Sequence, residues 1–319
     1  MRGPRLFPRL RQKWREKPEW AVPLALFLTT CVSTTFVGYV MYGDLSFTQA
    51  FWFSVPLMTI LTLHELGHFL QLRRLRVKST FPYFIPLPLP PLGTMGAVIR
   101  IRERLPDRRA LFDMGLSGPV AGLVAALGFL VLGLFLSTTS TVPPQDKASA
   151  VTFGAPLVMR WLASAILGDG SDGARFVLLH PCAIAGWTGL FVTSLNLMPV
   201  AQLDGGHVIY ALLRKRSTVF SYVVLAIVCV VAAVYRFWGW FLFVALLVYF
   251  GFKRQPTRDD SRPLGAFRVV CGILALAYLP IGFSPRPVIV AAPPTPEAAR
   301  VASASSEPQP LVFHIGLQR

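Results

Sequence analysis

The chain has 319 residues, 54% of them hydrophobic and 14% charged, with a mean hydropathy of +0.55. These values exclude an ordinary soluble domain and indicate a multi-pass membrane protein. The net charge of +16 does not point to a nucleic-acid partner, because the basic residues sit in short segments between apolar runs rather than on a soluble, aromatic-bearing face.

A basic segment, 1–20, precedes the first of seven apolar runs, near 21–42, 51–71, 112–136, 182–200, 218–235, 237–252 and 265–283. Each is roughly 16 to 25 residues, enough to cross about 30 Å of hydrocarbon. The expectation is an all-α membrane domain over 21–283 with six or seven transmembrane helices. Segments 1–20, 73–78, 100–109, 214–216 and 253–268 hold 24 of the 31 Lys and Arg residues, all in alternate connections. Positive charge favours the cytoplasmic side, so the N-terminus is expected there, in the plasma (inner) membrane if the chain is bacterial.

After the second run, five prolines between 82 and 91 forbid a regular helix, and no charge appears from Ser79 to Ile99. Apolar, non-helical chain must be shielded by protein, so a re-entrant loop with a short β-strand element is expected near 81–101, its extended part running from Thr94 to Ile101. The third run carries Gly118 and Gly122 at G-x-x-x-G spacing, which favours close approach of another helix. Residues 137–180 form the longest connection, and its "DGSDG" (169–173) reads as a turn rather than a calcium loop. Cysteines 31, 182, 229 and 271 have no C-x-x-C spacing and read as small apolar packing residues. The tail, 284–319, is rich in Pro, Ala and Ser and is expected to be disordered.

The second run also contains "HELGH", His64 to His68. On a helix the two histidines fall one turn apart on one face, where both imidazoles reach one zinc ion while Glu65 stands beside them to move protons. An ionisable group inside a span is a functional site by default. A catalytic zinc takes three protein ligands and keeps one position open. Candidates for the third at membrane depth are Asp113, His180, Asn196, Asp204 and His207. The last three lie in "LNLMPVAQLDGGHVIYAL", read as an apolar helix interrupted by Pro199 and then Gly205-Gly206.

His64-Glu65-Leu66-Gly67-His68, followed by Asn196-Leu-Met-Pro199 and Leu203-Asp204-Gly205-Gly206-His207, resembles the site-2 protease family of intramembrane zinc metalloproteases. The likeness extends through "GTMGAVI" (93–99), "GPVAG" (118–122) and "HPCAIAGWTGLFVTSLNLMP" (180–199), covering about residues 51–213 as a catalytic core. The resemblance implies one zinc ion held by His64, His68 and Asp204, with Glu65 as catalytic base and Asn196 facing the scissile peptide. The substrate is expected to be a single-span membrane protein whose helix must unwind locally, and the freed backbone is expected to gain new partners by strand addition at the extended stretch, with Thr94, Gly96, Ala97, Val98 and Pro199 as the substrate-binding residues. The 44 residues of 137–180 are too few for the PDZ domain that many bacterial members carry, and the tail is too short for CBS domains.

Two rival readings are a metal transporter using the same His, Asp and Glu cluster, and a catalytically silent scaffold. Transport does not require a glutamate at position 65, and a silent scaffold would be expected to lose one of the four motif residues. For the third ligand, His207 is the chemical rival of Asp204. A carboxylate leaves the site with one formal positive charge instead of two, which is easier to hold in a low dielectric.

Overall fold

The computed structural model describes residues 18–41, 47–140, 150–168, 176–200, 202–236, 238–250, 257–290 and 312–316. The first two helices are α1 (Ala21–Met41) and α2 (Phe47–Arg74). A hairpin follows, β1 (Tyr83–Pro86) and β2 (Thr94–Val98), then β3 (Leu105–Asp107) and the long α3 (Arg108–Phe135). Beyond it come β4 (Thr138–Ser140), β5 (Ala150–Phe153), α4 (Leu157–Leu167), β6 (Phe176–Leu178) and α5 (Pro181–Asn196). The rest is α6 (Asp204–Leu213), α7 (Ser217–Tyr235), α8 (Trp238–Phe250), β7 (Thr257–Asp259), α9 (Ala266–Ala277), α10 (Leu279–Gly282), β8 (Val288–Val290) and β9 (Val312–Gly316).

Each apolar run read from the sequence is largely helical over its described residues. Among the described residues three stretches are long and apolar enough to cross a membrane, Ala21–Met41, Arg108–Phe135 and Asp204–Tyr235. The last is divided by a short 3-10 turn at Arg214–Arg216 into α6 and α7. Helix α2 is 28 residues long and is made less apolar by its own His64, Glu65 and His68.

Helices α2, α3 and α5 pack on one another as the core, where Phe53, Leu57, Ile60, Ala126, Leu130, Ile184 and Leu190 are all buried. Helix α3 starts where it does because Asp107 accepts a hydrogen bond from the Ala110 N–H at 2.9 Å, satisfying one of the free donors of the first turn. Across α1 and α2, Thr34 and Ser54 share a hydrogen bond of 2.6 Å, so two hydroxyls that would be costly at this depth satisfy each other.

The proline-rich stretch is a hairpin rather than a loop followed by a strand. Its pairs are antiparallel, Tyr83 with Val98 and Phe84 with Ala97, with an irregularity before Pro86 pairs with Thr94. Tyr83 and Phe84 are strong strand formers, and the prolines are accommodated at the end of β1 and in the connecting loop. Strand β2 ends at Val98, three residues before the expected Ile101, which makes only an isolated bridge to Ser79. The loop docks against the middle of α1, where the Ser33 hydroxyl donates to the Gly93 carbonyl at 2.7 Å.

The connection 137–180 holds helix α4 and three strands, and the tail contributes two strands. Together they form a five-stranded sheet in the order β4-β6-β9-β5-β8, in which β9 pairs antiparallel with β6 and parallel with β5. The short runs Val288–Val290 and Val312–Ile315 are β-formers whose signal is diluted by the Pro, Ala and Ser around them. The segment 169–173 and the tail residues 291–311 and 317–319 lie outside the described residues.

At the opposite, basic end, β3 pairs in parallel with β7. The chain around β7 clasps the bundle. Tyr210 donates to Asp260 Oδ2 at 2.5 Å, Arg108 to the Arg262 carbonyl at 2.8 Å, and Arg109 to the Pro263 carbonyl at 2.6 Å. Arg268 makes a two-pronged ion pair with Asp113, 2.7 and 2.8 Å.

Candidate metal centre

His64 and His68 lie one helical turn apart on the face of α2 that meets α3 and α5, 5% and 7% exposed, with their Nε2 atoms 3.2 Å apart. Asp204, the first residue of α6, reaches between them. Its Oδ2 is 3.2 Å from His64 Nε2 and its Oδ1 3.3 Å from His68 Nε2. Zinc–ligand bonds of about 2.0–2.1 Å at tetrahedral angles put neighbouring ligand atoms about 3.3 Å apart. The two imidazole nitrogens already have that spacing, Asp204 offers one oxygen to each ring, and one ligand atom from each of the three residues lies within 4.8 Å of the others, so the three are placed to hold one metal ion; among the described residues no other group of three His, Cys, Asp or Glu is.

The chain break that delivers Asp204 differs from the one expected. Helix α5 stops at Asn196 and α6 begins at Asp204, so the break runs from Leu197 to Leu203 and both glycines lie inside the first turn of α6. Gly205 is required by close approach: a Cβ there would collide with the Leu197 carbonyl and stand 2.6 Å from that of Met198. The turn is pinned from α7 by Ser221, whose hydroxyl donates to the Pro199 carbonyl at 2.8 Å.

Helix α3 forms the back wall. The His68 Nδ1–H donates to the Met114 carbonyl at 2.7 Å, which fixes the tautomer that leaves Nε2 free for a metal. Gly118 and Gly122, expected to bring helices together, do more than that. A Cβ on Gly118 would enter the His68 ring, 2.5 Å from Cδ2 and Cε1, and one on Gly122 would lie 3.0 Å from His64 Nδ1. At the same level a Cβ on Gly67 of α2 would be 2.5 Å from the Ser117 carbonyl, so the two backbones are in contact beside the donors.

The remaining candidates fall into place around this cluster. The Asn196 amide nitrogen lies 3.3 Å from His64 Nε2, at the rim of the site. Glu65, half-buried and next in chain to His64, contributes no atom to the donor group. His207 is buried one turn along α6 and faces Gly115, whose Cβ would stand 2.9 Å from that of His207. Asp113 is taken up by Arg268, and His180 caps α5, its Nδ1 accepting from the Cys182 N–H at 3.3 Å. In the hairpin, Thr94 is buried and its hydroxyl donates to the Ile85 carbonyl at 3.0 Å. Gly96 has a φ of +88°, Ala97 packs on the core that includes Met58 and Leu61, and Val98 is exposed.

Met114, Gly115 and Gly67 were not singled out from the sequence as site residues. Met114 acts through a backbone carbonyl, which any residue type supplies. The glycines had a legible spacing, and what it accommodates became visible only with the imidazoles beside it.

A helical protein with membrane-length segments, built around a two-histidine, one-aspartate metal centre with a glutamate beside it, is a narrow class. The profile of peptidase family M50 matches residues 52–236, more than half of the chain, and the chain belongs to that family. Among curated proteins, "Probable zinc metalloprotease EGY1, chloroplastic" of Arabidopsis thaliana is 32% identical over 232 residues, covering 70% of this chain and 41% of its own length. The rice protein of the same name (Oryza sativa subsp. japonica) is 35% identical over 159 residues, 50% of this chain and 27% of its own. "Probable zinc metalloprotease EGY3, chloroplastic" of rice (subsp. indica) is 26% identical over 234 residues, 68% and 39%. The chain thus spans less than half the length of these relatives. No solved structure matches it.

Proposed function

We propose that this chain is an intramembrane zinc metalloprotease that hydrolyses a peptide bond within or near the transmembrane segment of a single-span membrane protein. The observation that carries this reading is the set of 3.2 and 3.3 Å separations among His64, His68 and Asp204, with Glu65 adjacent and outside the set. Its family and the printed names of its relatives agree with it.

Zinc held by those three residues would lower the pKa of a bound water toward neutrality and would polarise the substrate carbonyl. Glu65 takes a proton from the attacking water and passes it to the leaving amine nitrogen. The Asn196 amide donates a hydrogen bond to the oxyanion as it develops. The Met114 carbonyl holds the His68 ring in place through both steps.

A transmembrane helix hides its scissile carbonyl in its own hydrogen bonds and must unwind before cleavage. In this reading β2 receives the unwound segment by strand addition along the edge that β1 leaves free, with Thr94, Gly96, Ala97, Val98 and Pro199 in contact with it. The chain crosses the bilayer six or seven times with its N-terminus on the cytoplasmic side, and residues 51–213 form the catalytic core. The clasp at β7 supports that orientation, since it gathers the basic segments 100–109, 214–216 and 257–268 at one end of the bundle.

The test is purified protein in lipid vesicles with a labelled single-span substrate. Cleavage that is lost with a zinc chelator and restored by zinc supports the proposal. Zinc-dependent transport across the vesicle without cleavage would replace it with the transporter reading.

A further inference from the structure

Helices α2, α3 and α9 leave a groove of about 760 Å³ on the outer surface of the bundle. Its floor is one face of α3, running from Phe112 past Val120 to Val124. Twelve residues of helix rise about 18 Å, close to one leaflet, which is half of a hydrocarbon core of about 30 Å.

The two ends of the groove differ in chemistry. At the basic end of the bundle it is lined by Gln71 and Arg74 of the last turn of α2 and by Arg268 at the start of α9. Further in, it is apolar, with Val120 and Val124 exposed, while the exposed Phe267 stands next to Arg268 at the mouth. Asp113 neutralises Arg268, whereas Arg74 meets no acidic partner among the described residues. The mouth therefore carries one uncompensated positive charge above an apolar channel one leaflet deep.

We infer that this groove binds one glycerophospholipid with an anionic headgroup, from the leaflet at the basic end. The phosphate lies against Arg74 and Gln71, and an acyl chain lies along Val120 and Val124. A substrate helix is the poorer occupant, since a spanning helix needs about 30 Å of apolar surface and the groove offers little more than half. The inference rests on the membrane-spanning reading and does not depend on peptidase activity.

The groove is close to the metal centre. Ser117 lines it, and the Ser117 hydroxyl donates at 2.9 Å to the Met114 carbonyl that holds His68. The same residue's carbonyl is in contact with α2 at Gly67. A lipid in the groove therefore braces the α2–α3 contact from outside.

The experiment is native mass spectrometry of the full chain in mild detergent, titrated with dioleoyl phosphatidylglycerol or with dioleoyl phosphatidylcholine. One uncompensated arginine near a headgroup corresponds to roughly a five-fold preference for the anionic lipid. The expected result is one phosphatidylglycerol retained with that preference, reduced to the phosphatidylcholine level in Arg74→Gln. Ala121→Trp, which fills the apolar floor, should lower retention of both lipids. Equal retention of the two lipids by the unaltered chain, or a preference that survives both variants, would overturn the inference and leave only annular lipid. Because retention is read independently of cleavage, an inactive preparation that keeps the lipid would count against the peptidase proposal alone.

Discussion

Gly118→Ala tests the back wall of the metal centre with a single methyl group. The new Cβ would stand 2.5 Å from Cδ2 and Cε1 of His68, whereas carbon atoms at rest lie about 3.5–4.0 Å apart. The ring must therefore move by about 1 Å or more. Metal–ligand distances tolerate about 0.2 Å. A retreat of helix α3 from the ring would stretch the 2.7 Å hydrogen bond from His68 Nδ1 to the Met114 carbonyl and open the close α2–α3 packing at Gly67. Zinc affinity should fall by at least the 10- to 100-fold typical of disturbed ligand support, about 1.4–2.7 kcal/mol. The assay is zinc content of the purified chain by elemental mass spectrometry, together with chelator competition and a thermal scan. Gly128→Ala on the same helix is the control, since its Cβ would meet nothing within 4 Å and the helix gains about 1 kcal/mol of intrinsic propensity. If Gly118→Ala binds zinc as tightly as the control, the close packing inferred here is wrong.

Asp204→Ala should lower zinc occupancy and cleavage together, whereas His207→Ala should keep most of its zinc; the reverse pattern in the same zinc assay would exchange their roles. Proline at Ala97 or at Val98 should reduce substrate turnover in one of the two variants with zinc unchanged, because neighbouring residues of an antiparallel strand direct their N–H groups to opposite edges; undiminished turnover in both would remove strand addition. Asp260→Asn should loosen the clasp and lower the thermal midpoint by roughly 2–4 °C, for a loss of about 1 kcal/mol. Burial pushes the Asp260 carboxyl up, but hydrogen bonds from Thr257 and Tyr210 and the nearby Arg214 and Arg108 outweigh it and hold its pKa below the usual carboxylate value. That stabilisation is complete above the ordinary carboxylate pKa and is lost as pH falls through the lowered one. The gap in midpoint between the native chain and Asp260→Asn should thus be constant near neutrality and close in acid; a gap that widens in acid would contradict the assignment.

What could be read in advance follows the range over which each signal acts. His64, Glu65 and His68 are legible because a helical period converts spacing directly into geometry, and the apolar runs are legible because membrane thickness demands their length. Asp204 lies about 140 residues from His64, and nothing local distinguishes it from Asp113 or His207 as a ligand. The family resemblance selected it, together with the lower formal charge that a carboxylate leaves on the site, and the structure places its carboxylate between the two rings. Gly205 and Gly206 were misread as a helix break because flexibility is the common meaning of paired glycines. Here Gly205 serves close packing against Leu197, inside a helix turn. Strand β1 was hidden by its prolines, and β8 and β9 by the composition of the tail. The clasp at β7 depends on Arg and Asp pairs more than 150 residues apart, such as Arg268 with Asp113, and such pairings leave no local pattern.

The most direct test of the central claim is Glu65→Gln, measured for two quantities in one preparation. The exchange keeps the size and burial of the side chain and removes its capacity to accept a proton. Because Glu65 stands beside the donor group and outside it, zinc should remain near one ion per chain while cleavage of a labelled single-span substrate is abolished. Cleavage that persists, or zinc lost along with it, would contradict Glu65 as the proton carrier of an intramembrane peptidase.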